Sequence, residues 1–370
     1  MKKINKMKKA IAVDWLDKYG GAERVISSLT KIFQFETCYT LVNIMSNEDQ
    51  KLVFSNKKIK IKKSLLQLFK SKFRYFFFFF PFFIKKIKVD KGVELILSSS
   101  FSVAKGIKKS SVNQIHVSYI QARNQRYLWD DEDIYFGKKI RFLISPILDF
   151  LKKRDIKQAS NPDYLIANSR FVQKWIKETY KLDSEIIYPP VDVDSFKLQR
   201  NKENYFVTAC RLEPYKRVDL IVQAFNKTDE NLIIIGSGSQ YNYLRRIASK
   251  NIKFIKYSNS SVVYNYVSQA KAFIHAGIED FGIAPVEAQA CGTPVIAIKK
   301  GGLKETVIEN KTGVFFEKQD PNAILEAMNR FNKIDFDYEF IRNQSLKYST
   351  TNFELKIKKF IKSIGKNDKS

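Results

Sequence analysis

Glu279-Asp280-Phe281-Gly282-Ile283-Ala284-Pro285-Val286-Glu287, continued by Ala288-Gln289-Ala290-Cys291-Gly292-Thr293-Pro294-Val295-Ile296-Ala297, is the stretch on which the reading of the fold turns. Ahead of it Lys271-Ala272-Phe273-Ile274-His275-Ala276 reads as a short buried strand, and Val295-Ile296-Ala297-Ile298 reads as the next. The block is therefore a βαβ unit with a compact helix between parallel strands. Pro285 suits the first helical turn, where its missing N–H would be unpaired anyway, and Gly292 supplies the left-handed residue that ends the helix. This layout places Glu279 in the loop beyond the carboxyl end of a strand, the ligand crevice of open α/β sheets, and Glu287 on the first turn of the helix. An anion held at that helix terminus gains roughly 0.3–1 kcal/mol from the dipole, and the Phe281-Gly282-Ile283 backbone can approach it closely. The expected ligand combines a phosphate with a hydroxyl-rich group.

The chain is long enough, at 370 residues with 44% apolar content, to bury two sizeable cores. A net charge of +27 against only 38 acidic residues points to nucleic acid, an anionic membrane surface or phosphorylated ligands, unless the excess is spread over solvated faces. Cys38, Cys210 and Cys291 are far apart and lack metal spacing, which favours a reduced, cytoplasmic compartment. The basic start Met1-Lys2-Lys3-Ile4-Asn5-Lys6-Met7-Lys8-Lys9 resembles a signal n-region, but the apolar run behind it stops at Asp14, so no signal peptide is expected. No window is apolar for long enough to span a bilayer.

In chain order, Ala10-Ile11-Ala12-Val13 is a first strand, and Gly20-Gly21 opens a helix with Val25, Ile26, Leu29, Ile32 and Phe33 on one face. That turn is either a plain tight turn or a phosphate-approach loop. Lys57 to Lys91 is lysine-rich at both ends around Leu65, Leu66, Leu68, Phe69 and the run Tyr75 to Phe83. Two readings stand: an interfacial segment on anionic lipid, or a core helix pair under a lysine-rich face. Val93 to Ser100 and the strand from His116 follow, the latter with an exit loop carrying Gln121, Arg123, Arg126, Tyr127, Trp129 and Asp130. Those side chains can hold a sugar by hydrogen bonds and stacking, or brace the loop itself. Tyr164 to Ser169 reads as a strand and Arg170 to Tyr180 as a helix; Tyr188-Pro189-Pro190-Val191-Asp192 then forms a stiff linker.

Tyr205 to Cys210 begins a second α/β half, and Arg211 and Lys216 at its strand-to-helix junction can reach one diphosphate. Leu232 to Ile235 is a strand with a Gly236-Ser237-Gly238 exit, suited to a nucleoside or to a simple turn. Phe353 to Ile364 is an amphipathic, lysine-rich helix.

The Glu-x7-Glu block with Phe-Gly-x-x-Pro inside it resembles the retaining nucleotide-sugar glycosyltransferases of GT-B type, glycosyltransferase family 4. Asp14-Trp15 with Gly20-Gly21-Ala22-Glu23-Arg24, Ser98-Ser99-Ser100 with Val103-Ala104-Lys105-Gly106, Ile166-Ala167-Asn168-Ser169-Arg170, and Arg211-Leu212-x-Pro214-Tyr215-Lys216-Arg217-Val218-Asp219 extend the likeness across nearly the whole chain, toward the O-antigen mannosyltransferase branch. The resemblance implies a GT-B fold, two Rossmann-like domains facing a central cleft. Residues 1–190 would form the acceptor-side domain, 191–344 the nucleotide-sugar domain, and 345–370 a helix returning to the first. It implies transfer of a hexose, mannose from GDP-mannose, with retention and with neither metal nor cofactor, the nucleotide sugar being a substrate. The implied acceptor is a polyprenyl-diphosphate-linked glycan in O-antigen and lipopolysaccharide biosynthesis. The implied location is peripheral, on the anionic inner face of the cell membrane, with no nucleic-acid partner.

Carried over position by position, Arg211 and Lys216 would hold the diphosphate, Glu279 the transferred sugar and Glu287 the donor ribose. Gly20 and Gly21 would approach the phosphates, Gly236 and Gly238 would flank the nucleoside, and Phe281, Gly282 and Ile283 would complete the sugar site through their backbone. Gln121, Arg123, Arg126, Tyr127, Trp129 and Asp130 would face the acceptor. The sequence departs from the family where a histidine usually precedes Arg-Tyr-x-Trp-Asp: Gln121 stands near that place, and an amide cannot carry a proton. The alternatives are a catalytically impaired GT-B scaffold, a family 4 transferase using another nucleotide sugar, and a nucleic-acid-binding protein suggested by charge alone.

Overall fold

A computed structural model describes residues 7–55, 57–123, 126–256 and 260–367. The first six residues of the basic start, and Asn124 and Gln125 of the aromatic exit loop, lie outside the described residues. The chain divides into two compact units, residues 1–190 with 353–370 and residues 191–352.

In the first unit, β1 (Lys9–Val13), β2 (Thr37–Thr40), β3 (Lys60–Lys63), β4 (Leu95–Ser100), β5 (Ile115–Ile120), β6 (Tyr164–Ala167) and β7 (Glu185–Ile186) form one parallel sheet in the order β3-β2-β1-β4-β5-β6-β7. β1 is buried along its whole length, as a central parallel strand covered on both faces must be. The Gly21–Ile32 helix lays Val25, Ile26 and Leu29 on one face of the sheet. The Thr350–Asn367 helix joins the same core through Phe353, Ile357, Ile361 and Ile364, spaced one helical face apart. Each of those buried side chains contributes roughly 1.5–3 kcal/mol by leaving water, enough to hold the end of the chain on this unit.

In the second unit, β8 (Glu203–Ala209), β9 (Leu232–Ile235), β10 (Ile252–Ile255), β11 (Ala270–His275), β12 (Val295–Ile298) and β13 (Gly313–Phe316) form a parallel sheet ordered β10-β9-β8-β11-β12-β13. Residues 345–352 stay with this unit rather than joining the returning helix at 345. The reason is Tyr348, whose hydroxyl donates to the Glu305 carbonyl at 2.7 Å and whose ring meets Phe281 edge-on at 5.2 Å.

In both sheets the strand order reverses beside the first strand, between β1 and β4 in one and between β8 and β11 in the other. The loops leaving those strands diverge to opposite sides, which opens a crevice at each switch point.

The Lys57 to Lys91 segment is a strand, irregular turns and a short helix rather than a core helix pair. Its basic part is the edge strand β3, paired with β2, where lysines protect the open edge. Leu65–Phe79 follows as 3-10 turns broken at Lys70, with φ +45°, and Phe80–Lys86 is a short α-helix. Leu66, Phe73, Phe80 and Ile84 are core residues, Phe73 and Phe80 packing on Trp15 at 5.5 and 5.6 Å, while Leu65, Leu68, Tyr75, Phe79 and Phe82 are exposed. The aromatic run is thus divided between core and surface because its irregular backbone points neighbouring rings in opposite directions.

Sequence reading missed the Glu132–Ala159 helix, which is interrupted at Gly137, with φ +70°, and carries Pro146 inside it. Its buried side, including Leu148 and Leu151, packs with Leu128, Phe77 and Phe78.

Candidate functional site

The second unit's switch point brings together residues from two loops. After β8 the chain turns through Pro214–Lys216 and enters the Val218–Phe225 helix; after β11 it runs through Glu279 to the Ile283–Ala290 helix. Lys216 Nζ lies 2.6 Å from Glu279 Oε1, and His275 Nε2, at the end of β11, lies 2.8 Å from the same oxygen. Lys216 and Glu279 retain 16% and 15% side-chain exposure and His275 only 3%, so the cluster opens to solvent on one side. A carboxylate only accepts, which requires His275 to donate through Nε2–H. Burial is the largest influence on the Lys216 ammonium and acts to lower it, but the Glu279 carboxylate, with Tyr215 and Cys210 adding to it, leaves the group above its ordinary value. The result is a positive group beside an oriented carboxylate.

Glu279 was expected in this loop and is there; His275 was read only as part of a strand. Its one sequence signal is its spacing of four residues from Glu279, which says nothing until β11 ends and the loop folds back. Arg211 is exposed and its guanidinium donates to the Tyr215 hydroxyl at 3.1 Å, while Lys216 is engaged with Glu279. Glu287 is buried and lies in the second turn of the Ile283–Ala290 helix, not the first, because the helix begins only after Gly282. Gly282 caps that helix with φ +97° and Gly292 ends it with φ +75°, conformations that L side chains rarely adopt.

Phe281 is buried beside this turn. Gly236 and Gly238 sit where the exit of β9 crosses the Cys210–Leu212 backbone: an added Cβ would come within 2.1 Å of the Cys210 carbonyl oxygen at the first and 2.4 Å of that of Leu212 at the second. Leu212 N–H donates to the Ser237 carbonyl at 2.9 Å across this crossing. These two glycines therefore let the two exit loops of the site lie against each other.

In the first unit the switch point is closed by Asp14 at the end of β1. Its carboxylate accepts the backbone N–H groups of Phe101, Ser102, Val103 and Ala104 at 2.5 to 3.1 Å, which holds the loop after β4. Burial pushes this carboxyl up, and the N–H donors with Lys105 draw it back toward the ionised form. Lys105 itself is buried against Asp155 at 2.6 Å.

Gly20 caps the Gly21–Ile32 helix in an extended conformation. Gln121, just after β5, reaches this turn: its side-chain amide donates to the Ala22 carbonyl at 3.1 Å and to Ser99 Oγ, while its backbone carbonyl accepts from the Asn168 side chain. The structure thus brings the Gly20-Gly21 turn and Gln121 together.

The other residues expected on the acceptor side have partners within the first unit, some in their own loop and some on other elements. Arg123 pairs with Asp130 at 2.9 Å and stacks over the Phe171 ring at 4.3 Å. Trp129 Nε1 donates to Asp155 at 3.1 Å, and Tyr180 donates to the same oxygen at 2.7 Å. Tyr127 packs on Phe77 at 4.9 Å, and its burial raises the phenol. Arg126 begins the Arg126–Trp129 helix, and its side chain lies outside the described residues.

Two doubly wound parallel α/β units, with switch-point loops carrying these groups, define a GT-B fold. The solved structure of Anabaena Alr3699/HepE in complex with UDP and glucose matches at a TM-score of 0.70 over 96% of this chain and all of that one, at 15% identity. Residues 191–348, in the unit that holds the Lys216–Glu279 pair, match the family described as Glycosyl transferases group 1.

Among curated relatives, the GDP-mannose-dependent monoacylated alpha-(1-6)-phosphatidylinositol monomannoside mannosyltransferase of Corynebacterium glutamicum is 35% identical over 33% of this chain and 36% of its own. The O-antigen chain mannosyltransferase RfbU of Salmonella typhimurium is 26% identical over 51% of this chain and 59% of its own. The chain spans about half the length of the curated relatives it matches. Among the described residues, no helix is long and apolar enough to cross a membrane.

Proposed function

We propose that this protein is a retaining glycosyltransferase that moves a hexose, mannose from GDP-mannose, onto a lipid-linked glycan in surface polysaccharide synthesis. The observation that carries the proposal is the Lys216–Glu279–His275 cluster at the β8/β11 switch point, inside the segment that matches group 1 glycosyltransferases. When the bond from the anomeric carbon to the donor phosphate breaks, the electron pair leaves with the diphosphate and positive charge grows on the sugar ring. Lys216, and Arg211 at the same loop, oppose the first charge; the Glu279 carboxylate opposes the second and accepts from sugar hydroxyls. The acceptor hydroxyl oxygen then bonds to the anomeric carbon and its proton is released. Mannose rests on the printed activities of the two relatives, GDP on that of the Corynebacterium glutamicum enzyme, and the lipid-linked acceptor on the resemblance to the O-antigen branch.

The test is a panel of nucleotide sugars with the purified chain and a polyprenyl-diphosphate glycan, followed by mass spectrometry of the product and determination of its anomeric configuration. Hexose transfer from GDP-mannose with retention supports the proposal. Transfer from another donor replaces the mannose assignment, and nucleotide binding without transfer or hydrolysis favours the non-transferring scaffold that the Gln121 substitution raises.

A further inference from the structure

The Glu132–Ala159 helix carries an apolar stripe that the first unit does not cover. Ile140, Leu143, Ile147 and Phe150 recur at the spacing of one helical face and are 54%, 76%, 44% and 52% exposed. Leu148 and Leu151, on the adjoining face, are buried against Phe77 and Phe78, so the helix is anchored with this stripe turned outward. The Phe80–Lys86 helix, on which this helix packs, exposes Phe82, and Tyr75 and Phe79 are exposed in the turns before it. Soluble monomers rarely leave aliphatic and aromatic side chains grouped in this way without a partner.

The charges around the stripe are predominantly positive, although Asp149, next to Phe150, is exposed. Glu132 is neutralised by Arg141 at 2.8 Å and Lys152 at 2.5 Å, Asp133 lies near the same Arg141, and Asp155 is buried on Lys105. Lys139, Lys153, Arg154 and Lys157 are exposed along the helix, Arg154 lying 5.0 Å over the Phe150 ring. A second copy of the chain is a poor occupant because both copies carry +27. A nucleic acid would satisfy the cations and leave the aliphatic stripe in water.

We propose that this helix face inserts shallowly into an anionic lipid surface, its Ile140–Phe150 stripe entering the acyl boundary while the flanking lysines and arginine meet phosphate headgroups. The inference deepens the membrane-surface partner implied by the resemblance and is independent of which sugar is transferred.

Its test is co-sedimentation of the full chain with vesicles of phosphatidylcholine alone and of phosphatidylcholine with phosphatidylglycerol, at low and high salt. The triple variant Leu143→Ser, Ile147→Ser, Phe150→Ser should partition at least tenfold more weakly into anionic vesicles, with unchanged far-ultraviolet circular dichroism and unchanged nucleotide binding. Its conservative counterpart Ile147→Leu, Phe150→Leu should bind as the parent does, which separates lost apolarity from lost structure. Lys139→Gln with Lys157→Gln should weaken binding at low salt and have little effect at high salt.

Binding by the parent that the triple variant retains in full overturns the role of this helix alone. No binding by the parent, or equal binding to neutral vesicles, overturns the anionic-membrane partner as well. A parent that is dimeric by light scattering and becomes monomeric with the triple variant assigns the stripe to self-association and overturns the proposal. None of these outcomes bears on sugar transfer, which the donor panel tests separately.

Discussion

The Lys216 ammonium lies 2.6 Å from Glu279 Oε1 although the two residues stand 63 positions apart. The pair exists because β8 and β11 are neighbours in the sheet while their exit loops lead to different helices. Lys216→Met and Glu279→Gln should therefore be non-additive in urea unfolding, with a coupling of about 0.5–3 kcal/mol in the double-mutant cycle. Additive effects would show that the contact carries no net energy.

Arg211 and Lys216 should separate in calorimetry. Each change to Ala is expected to weaken nucleoside-diphosphate binding by roughly 2–5 kcal/mol if the ion contacts are desolvated in the complex. Only Lys216→Ala should also lower stability, since Arg211 is exposed and bonded to the neighbouring Tyr215. Unchanged affinity in both would remove these two residues from the donor site.

His275 holds Glu279 from the strand side, and His275→Phe removes that bond while keeping a ring in the site. Loss of one orienting hydrogen bond is worth about 1–1.5 kcal/mol, or roughly tenfold in kcat, with donor affinity little changed. Glu287→Ala should show the opposite division, raising the donor Kd more than it lowers kcat. Steady-state kinetics with titrated donor distinguishes the two patterns; equal losses in both parameters would argue against separate roles.

Asp14 accepts four backbone N–H groups from residues 101–104, more than any neutral replacement can. Asp14→Asn puts an NH2 group against two of those donors, and at about 1–3 kcal/mol per unsatisfied donor the cost should reach roughly 2–6 kcal/mol. Urea denaturation measures it. An unchanged midpoint would mean that water satisfies the loop.

His116 is fully buried, with Nε2 2.8 Å from Ser98 Oγ, and burial holds its imidazole down at about 3. The unfolded chain binds the proton near pH 6.5 and the folded chain does not, so this group's stabilisation is complete above pH 6.5 and is lost as pH falls toward 3. Within that window the parent should lose about 1.4 kcal/mol per pH unit from this residue, and His116→Gln should lack that slope. Stability curves at pH 7, 6 and 5 decide it; parallel curves would mean that His116 titrates normally in the fold.

Much of the fold was legible because parallel α/β structure writes itself locally. Buried strands are apolar runs, as at Ala10 to Val13 of the first strand and at Val295–Ile298, and the Ile283–Ala290 helix carries its boundaries as Gly282, Pro285 and Gly292. The Glu132–Ala159 helix was not legible for the same local reason: Gly137 and Pro146 interrupt the pattern, and apolar residues stand on both its buried and its exposed faces. The aromatic segment was read only as a block, since which ring enters the core depends on backbone turns that a run of identical residues does not reveal.

The candidate site divides along the same line. The sequence by itself determined the strand–loop–helix units and the residue types at each strand exit: Glu279 after β11, Arg211 and Lys216 after β8, Gly20 and Gly21 after β1. Only the tertiary structure decided that His275 and Lys216 share one oxygen of Glu279, that Asp14 is spent on the loop after β4, and that Trp129 is held by Asp155 while Asp130 pairs with Arg123. The physical reason is that local propensity and burial act over a few residues, whereas these contacts depend on which strands become neighbours. Strand order is settled by the packing of the whole sheet, and only then do charges far apart in the chain meet at hydrogen-bond distance.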